Sequence, residues 1–112
     1  IAIINTGGVR SDINKGIITV KDIYEVFPFN NKIIQTTISG TKLKDFLQKN
    51  GSYLYYNNLE IIESKTYTLV TIDYVFTNNY YTSAFVDSIP HDSNTLMRDV
   101  FIEYIESFYN KL

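Results

Sequence analysis

The densest chemistry in this chain lies at Asn5-Thr6-Gly7-Gly8-Val9-Arg10, directly after the apolar run Ile1-Ala2-Ile3-Ile4. A carboxamide, a pair of glycines and a guanidinium are parts for holding a ligand. Glycine has no Cβ, so its backbone can close on a bound molecule. Arginine presents a planar fork of donors that matches a phosphate or a carboxylate. Two plainer readings stand beside this one. The glycines make a tight turn and nothing more, or Arg10 is a structural salt-bridge partner.

The rest of the chain lacks the parts of an independent catalyst. It has no cysteine, which removes thiolate nucleophiles, disulfides and thiolate metal sites. The single histidine, His91, follows Pro90 in a segment that reads as an exposed loop. A catalytic zinc or a dinuclear centre needs several converging histidines and carboxylates. Neither a nucleophile elbow nor a phosphate loop ending in Gly-Lys-Ser/Thr is present. The carboxylates Asp12, Asp22, Asp45 and Asp73 are scattered along the chain. No catalytic residue, metal or cofactor is therefore assigned to this chain. The net charge of −2 gives no electrostatic reason for nucleic-acid or acidic-membrane binding. No apolar run approaches the ~18–20 residues of a membrane span.

These residues need a frame. A length of 112 residues fits one domain with a modest core, and 45% hydrophobic with 20% charged residues is a globular composition. Ten tyrosines and 7 phenylalanines are many for this length; an aromatic can stack on a base, but most build core. Ile1–Ile4 reads as a central strand buried on both faces. Thr19-Val20-Lys21-Asp22 fits a capping box, followed by Ile23, Tyr24 and Phe27 at helical spacing. Pro28 stops that helix, and Phe29-Asn30-Asn31 reads as a turn. Lys32–Ile38 is a β-branched strand. Ser39-Gly40-Thr41 starts a helix with Leu43, Phe46 and Leu47 on its apolar face, ending near Asn50-Gly51.

Further along, Tyr53–Tyr56 and Leu59–Ile62 are strand-like, with a turn at Asn57-Asn58. Thr66–Asp73 is the stronger strand, and Thr77–Ser83 reads as a loop. Asp92 to Asn94 offer N-caps for a last helix. Its stripe of Leu96, Met97, Val100, Phe101, Tyr104, Ile105 and Phe108 reads as a core face. Strands and helices mix without strict alternation, which favours an α+β fold over a doubly wound sheet. The expectation is one domain over 1–112, a mixed sheet packed by about three helices. Ile1 is not a start methionine and no signal peptide is visible, so the sequence reads as a piece of a longer protein.

Six segments, in order, resemble the C-terminal domain of the 5'-nucleotidase family. Ile3 to Arg10 is similar to its Asn-Gly-Gly-Gly-Ile-Arg signature. Gly16 to Asp22 resembles its Gly-x-Ile-Thr segment, and Phe27-Pro28-Phe29-Asn30-Asn31 its Pro-Phe-x-Asn turn. Ile38 to Leu43 resembles its Ser-Gly-x-x-Leu helix start. Lys65 to Tyr74 is similar to its Lys-x-Tyr-x-Val-x-Thr-Asn-Asp-Tyr strand, and Arg98 to Ile105 to its closing helix.

The resemblance implies a two-domain enzyme. An N-terminal metallophosphatase domain holds a pair of divalent metals and hydrolyses the phosphoester. The C-terminal domain binds the nucleotide or nucleoside. Carried over by position, Asn5 and Arg10 contact polar groups of the nucleotide, Gly7 and Gly8 let the backbone approach, and Phe29 and Tyr74 clamp the base. Without the resemblance, plain core stands as an alternative reading of Phe29 and Tyr74. It also implies a periplasmic, secreted or cell-surface protein. Two departures stand out. The family's Gly-Gly-Asp-Gly loop falls at Asn78-Asn79-Tyr80-Tyr81, where glycines and aspartate are missing. The stretch from Leu47 to Tyr67 is short, so the sheet is expected to lack a hairpin. These departures leave a second reading: a degenerate, non-catalytic module that keeps the fold for ligand binding or protein interaction.

Overall fold

The computed structural model of the chain describes residues 1–48, 52–55, 59–78 and 82–110. A five-stranded mixed sheet runs in the order β3-β1-β4-β2-β5. In chain order its strands are β1 (Ala2–Asn5), β2 (Lys32–Ser39), β3 (Ser52–Tyr55), β4 (Thr66–Ile72) and β5 (His91–Leu96). Among the described residues the helices are α1 (Val20–Val26), α2 (Gly40–Gln48), α3 (Asp73–Thr77) and α4 (Met97–Asn110). β1 and β4 are parallel; the other pairs are antiparallel. This is the α+β, mixed-sheet architecture expected from the sequence.

One face of the sheet carries the core. Ile3, Ile38 and Leu69 pack with Leu43 and Phe46 of α2, Val75 of α3, and Ala84 and Phe85, and Ile72 at the end of β4 joins the same cluster from the opposite face. The Phe85 ring stacks on Phe76 at 5.1 Å and tilts against Phe46 at 5.7 Å. The other face is less covered. There Ala2, Ile4 and Val70 look toward Phe27, Met97 and Phe101 across an open apolar cavity of about 480 Å³. β1 is therefore interior to the sheet yet not buried on both faces: Ile3 and Asn5 are buried, Ile4 is half-buried and Ala2 is exposed.

Local chemistry explains the helix starts. Thr19 Oγ1 accepts the Asp22 N–H at 3.2 Å, and the Asp22 carboxylate accepts the Thr19 N–H at 2.8 Å, closing the capping box. Bonds from the Thr19 backbone and then its hydroxyl hold the Asp22 carboxyl below its ordinary value of 3.8. At α2, Ser39 Oγ accepts the Lys42 N–H at 3.2 Å. Gly40 is required by crowding. Its N–H donates to the Lys65 carbonyl at 2.7 Å. A Cβ there would collide with the Ile62 carbonyl and lie 2.9 Å from Glu63 Cα.

That crowding also corrects one expectation. Leu59–Ile62 is not a strand. Its polar groups are engaged otherwise: the Ile62 N–H donates to Tyr67 Oη at 2.7 Å, and Tyr67 Oη donates to the Glu60 carbonyl at 3.3 Å. The segment folds over the start of α2 in place of joining a ladder. β4 stops at Ile72, one residue early, because the chain turns directly into α3.

β5 is a second correction. Asp92 to Asn94 lie within a strand, and His91 is exposed on that strand, not in a loop. β5 pairs with β2 through an irregular register, Lys32 opposite Leu96 and Ile34 opposite Asp92. The polar side chains that look like caps serve that irregularity. Ser93 Oγ donates to the Ile33 carbonyl at 2.8 Å, and Asp92 Oδ1 accepts the N–H of Asn94, which sits at φ 54°.

The last helix is a third correction. Its apolar stripe is not a core face: Met97, Phe101 and Ile105 are half-buried, and Val100, Tyr104 and Phe108 are exposed. Tyr24 of α1 lies under the Arg98 guanidinium and Phe27, just past that helix, meets Phe101 edge to face at 5.2 Å, and one short helix cannot cover so wide a stripe. The short stretch after Leu47 contributes β3, an edge strand beside β1. The expected helix end at Asn50-Gly51 and turn at Asn57-Asn58 lie outside the described residues.

Gly40→Ala should lower stability by about 1–3 kcal/mol, since backbone and not a flexible side chain must give way; an unchanged denaturation midpoint would contradict the close approach. The Asp22 carboxyl titrates lower in the folded chain than in the unfolded one. Its stabilisation is therefore full above the ordinary aspartate pKa and is lost as pH falls through the lowered native value. Denaturation of wild type and Asp22→Asn across pH should show a stability gap that closes only in strong acid, whereas a pH-independent gap would refute the capping role.

Candidate ligand-binding site

Strand direction decides what can meet. β1 and β4 are parallel neighbours, so their C-terminal ends lie at the same end of the sheet. β2 runs antiparallel to β4, with Ile33 opposite Ile72, so the start of β2 joins them there. The turn after β1, the segment entering β2, and α3 after β4 thus open side by side.

Asn5 closes β1 and is buried at 8% exposure. Thr6–Gly8 follow as a single 3-10 turn, with the Val9 N–H donating to the Thr6 carbonyl at 3.2 Å. The Asn5 carboxamide lies against the glycines. A Cβ at Gly8 would come within 3.2 Å of Asn5 Oδ1, so the space a side chain would need is filled by that amide. Asn5 Oδ1 itself is buried without a hydrogen-bond partner among the described residues. The Arg10 N–H donates to the Val26 carbonyl at 2.9 Å, tying this loop to the end of α1. The Arg10 side chain is exposed and pairs with no carboxylate among the described residues, which removes the salt-bridge reading.

Phe29 and Asn31 follow Pro28 on the way into β2. Arg98 reaches across from α4 to this turn. Its Nη1 donates to the carbonyls of Phe27 at 3.0 Å and Phe29 at 3.4 Å, and its Nη2 to Asn30 Oδ1 at 2.8 Å. The guanidinium carbon lies 3.8 Å from the centroid of the Tyr24 ring. The Met97 N–H donates to the Asn31 carbonyl at 2.9 Å. Tyr74 sits in the first turn of α3, where Asp73 Oδ1 accepts its N–H at 2.8 Å.

These pieces surround a cavity of about 350 Å³ lined by Asn5, Gly7, Gly8, Arg10, Phe29, Asn31 and Tyr74. That volume is at the lower end of the ~300–1,000 Å³ of small-molecule sites. All the residues marked in the sequence for ligand contact face this one space. Phe29 and Tyr74 are 47% and 48% exposed and stand outside the core cluster. Asn31 is an addition whose signal was its place in the Phe29-Asn30-Asn31 turn. Arg98, read in the sequence only as the start of the closing helix, also holds this turn; an arginine interrupting the apolar run Leu96-Met97-…-Val100-Phe101 was the available sign. Of the loop at 78–81, Asn79, Tyr80 and Tyr81 lie outside the described residues.

The 5'-nucleotidase C-terminal domain matches this chain over residues 1–62. The chain belongs to that family. It is 26% identical over 132 aligned residues to Protein UshA of Yersinia enterocolitica, covering 94% of this chain and 24% of that protein. It is 34% identical over 79 residues to the trifunctional nucleotide phosphoesterase protein YfkN of Bacillus subtilis, covering 70% of this chain and 5% of that one. Among solved structures, a 5'-nucleotidase precursor from Thermus thermophilus superposes with a TM-score of 0.79 at 17% identity, covering 96% of this chain and 28% of the other. The NAD nucleotidase NadN of Haemophilus influenzae does so with a TM-score of 0.79 at 19% identity, covering 96% and 27%. At those identities the structures establish the fold. The chain spans about a quarter or less of the length of these relatives.

Phe29→Ala and Tyr74→Ala should each change stability by less than about 1 kcal/mol. Phe46→Ala, at the buried centre, should cost about 3–5 kcal/mol. Thermal or chemical denaturation checks this; comparable losses at all these positions would return Phe29 and Tyr74 to the core.

Proposed function

We propose that this chain is the substrate-binding domain of a 5'-nucleotidase-like phosphoesterase, and that its cavity takes a nucleotide or nucleoside. Arg10 offers the guanidinium fork to phosphate or ribose oxygens, and Asn5 stands beside it. Phe29 and Tyr74 present ring faces to the base, and the Asn31 carboxamide offers both donors and an acceptor to its edge. One observation carries the reading. Residues from separate segments, each marked by its chemistry or motif, line a single open cavity at one end of the sheet.

Among the described residues no group of three or more histidine, aspartate or glutamate side chains is gathered for a metal. The reading assigns no hydrolytic step to this chain. The reading assigns the divalent metal pair and the activated water to a separate N-terminal metallophosphatase domain of the same protein. This domain contributes by orienting the substrate, a legitimate share of catalysis. Export to the periplasm, the medium or the cell surface is part of the same proposal. No helix among the described residues is long and apolar enough to cross a membrane.

Calorimetric titration with adenosine and AMP tests this. Both should bind wild type, Phe29→Ala should weaken both by about fivefold or more, in keeping with a lost stacking contact, and Arg10→Ala should weaken AMP more than adenosine. Silence across nucleosides, nucleotides and nucleotide sugars would overturn the reading and favour a module kept for packing or protein interaction. Phosphatase turnover by the pure chain with Mn²⁺ or Zn²⁺ would also contradict it.

A further inference from the structure

Arg98 is 6% exposed, and no carboxylate among the described residues pairs with it. Its Nε is buried without a hydrogen-bond partner. Burying a cation on these terms is costly, and filling the same volume with an apolar side chain is often neutral or better. Its neighbours Met97 and Phe101 show that this part of α4 accepts apolar residues. What the guanidinium does is gather acceptors: the carbonyls of Phe27 and Phe29 and the Asn30 amide oxygen.

Among the described residues, Arg98 supplies the side-chain hydrogen bonds that hold the stretch from Phe27 to Asn30. α1 has ended at Val26 and β2 has not begun until Lys32. Pro28 has no N–H to contribute. The Phe29 carbonyl is therefore held from the side by Arg98, while the Met97 N–H holds the Asn31 carbonyl next door at 2.9 Å. Phe29 and Asn31 both line the ligand cavity; Arg98 does not.

We infer that Arg98 is a positioning residue of the candidate site: it fixes the turn that aims the Phe29 ring into the cavity, and so sets base stacking without touching the ligand. The inference rests on the nucleotide-binding reading above for its functional consequence, and on the turn geometry alone for its structural one. A lysine keeps the charge but has a single ammonium in place of the planar fork, so it cannot span these acceptors in the same geometry.

The test uses the full-length protein labelled with fluorophenylalanine and kept free of divalent metal by a chelator, so that AMP is bound and not hydrolysed, followed by fluorine NMR and AMP titration. Arg98→Lys should shift or broaden the Phe29 signal in ligand-free protein while the Phe46 and Phe85 signals stay in place. Asn30→Ala, an exposed and gentler change, should do the same to a smaller degree and serves if Arg98→Lys does not fold. Arg98→Lys should weaken AMP binding about fivefold in the presence of Phe29 and less than about twofold in a Phe29→Ala background. An unmoved Phe29 signal, or equal losses in both backgrounds, would overturn the positioning role. If wild type binds no AMP, the nucleotide reading falls, and the fluorine signal alone still decides whether Arg98 sets the Phe29 turn.

Discussion

Everything at the candidate site depends on the pairing of β4 with its two neighbours. The parallel contact with β1 is held by the Val70 N–H on the Ile1 carbonyl at 2.8 Å and by buried Thr71 Oγ1 on the Ile3 carbonyl at 2.8 Å. The antiparallel contact with β2 runs over a full ladder from Ile33–Ile72 to Ser39–Thr66. Together they bring the end of β1, the start of β2 and the end of β4 to one place. A one-residue slip of β2 would turn Ile34 and Ile38 out of the core, so burial itself locks the register. The site inherits that precision.

The two sheet faces differ in a way that suits this role. The face under α2 and α3 is closely packed, with Leu43, Leu69 and Val75 fully buried, and it includes the backbone approach at Gly40. The face under α1 and α4 is looser and keeps an apolar cavity. Site residues hang from the rigid side through β1, β4 and α3. Toward the looser side lie the Phe27–Asn31 turn, which accepts the hydrogen bonds of Arg98, and the Arg10 end of the β1 turn, which is tied to Val26 of α1.

What could be read in the sequence was mostly local. The Thr19–Asp22 capping box, the stop at Pro28, the Ser39 start of α2 and the Asn5–Arg10 turn each need only a few adjacent residues. What escaped was short, polar or long-range. α3 covers only Asp73–Thr77, too few residues to show a helical period. β5 reads His-Asp-Ser-Asn-Thr-Leu with no apolar alternation, because it is an edge strand held by β2 and by side-chain bonds to backbone. The burial of Arg98 depends on Tyr24 and Phe27–Asn30, some 70 residues away, as its 71-residue separation from Phe27 shows. The half-bare stripe of α4 could not be told from a core face, since periodicity reports an apolar side and not what covers it.

The proposed nucleotide site is the cavity between the β1 turn, the β2 entry and α3. Backbone amide chemical shifts during an AMP titration test it most directly. Perturbations should concentrate at Asn5, Gly7, Gly8, Arg10, Phe29, Asn31 and Tyr74. Perturbations centred instead on Ala2, Ile4, Val70 and Phe101, or none at saturating AMP, would contradict it.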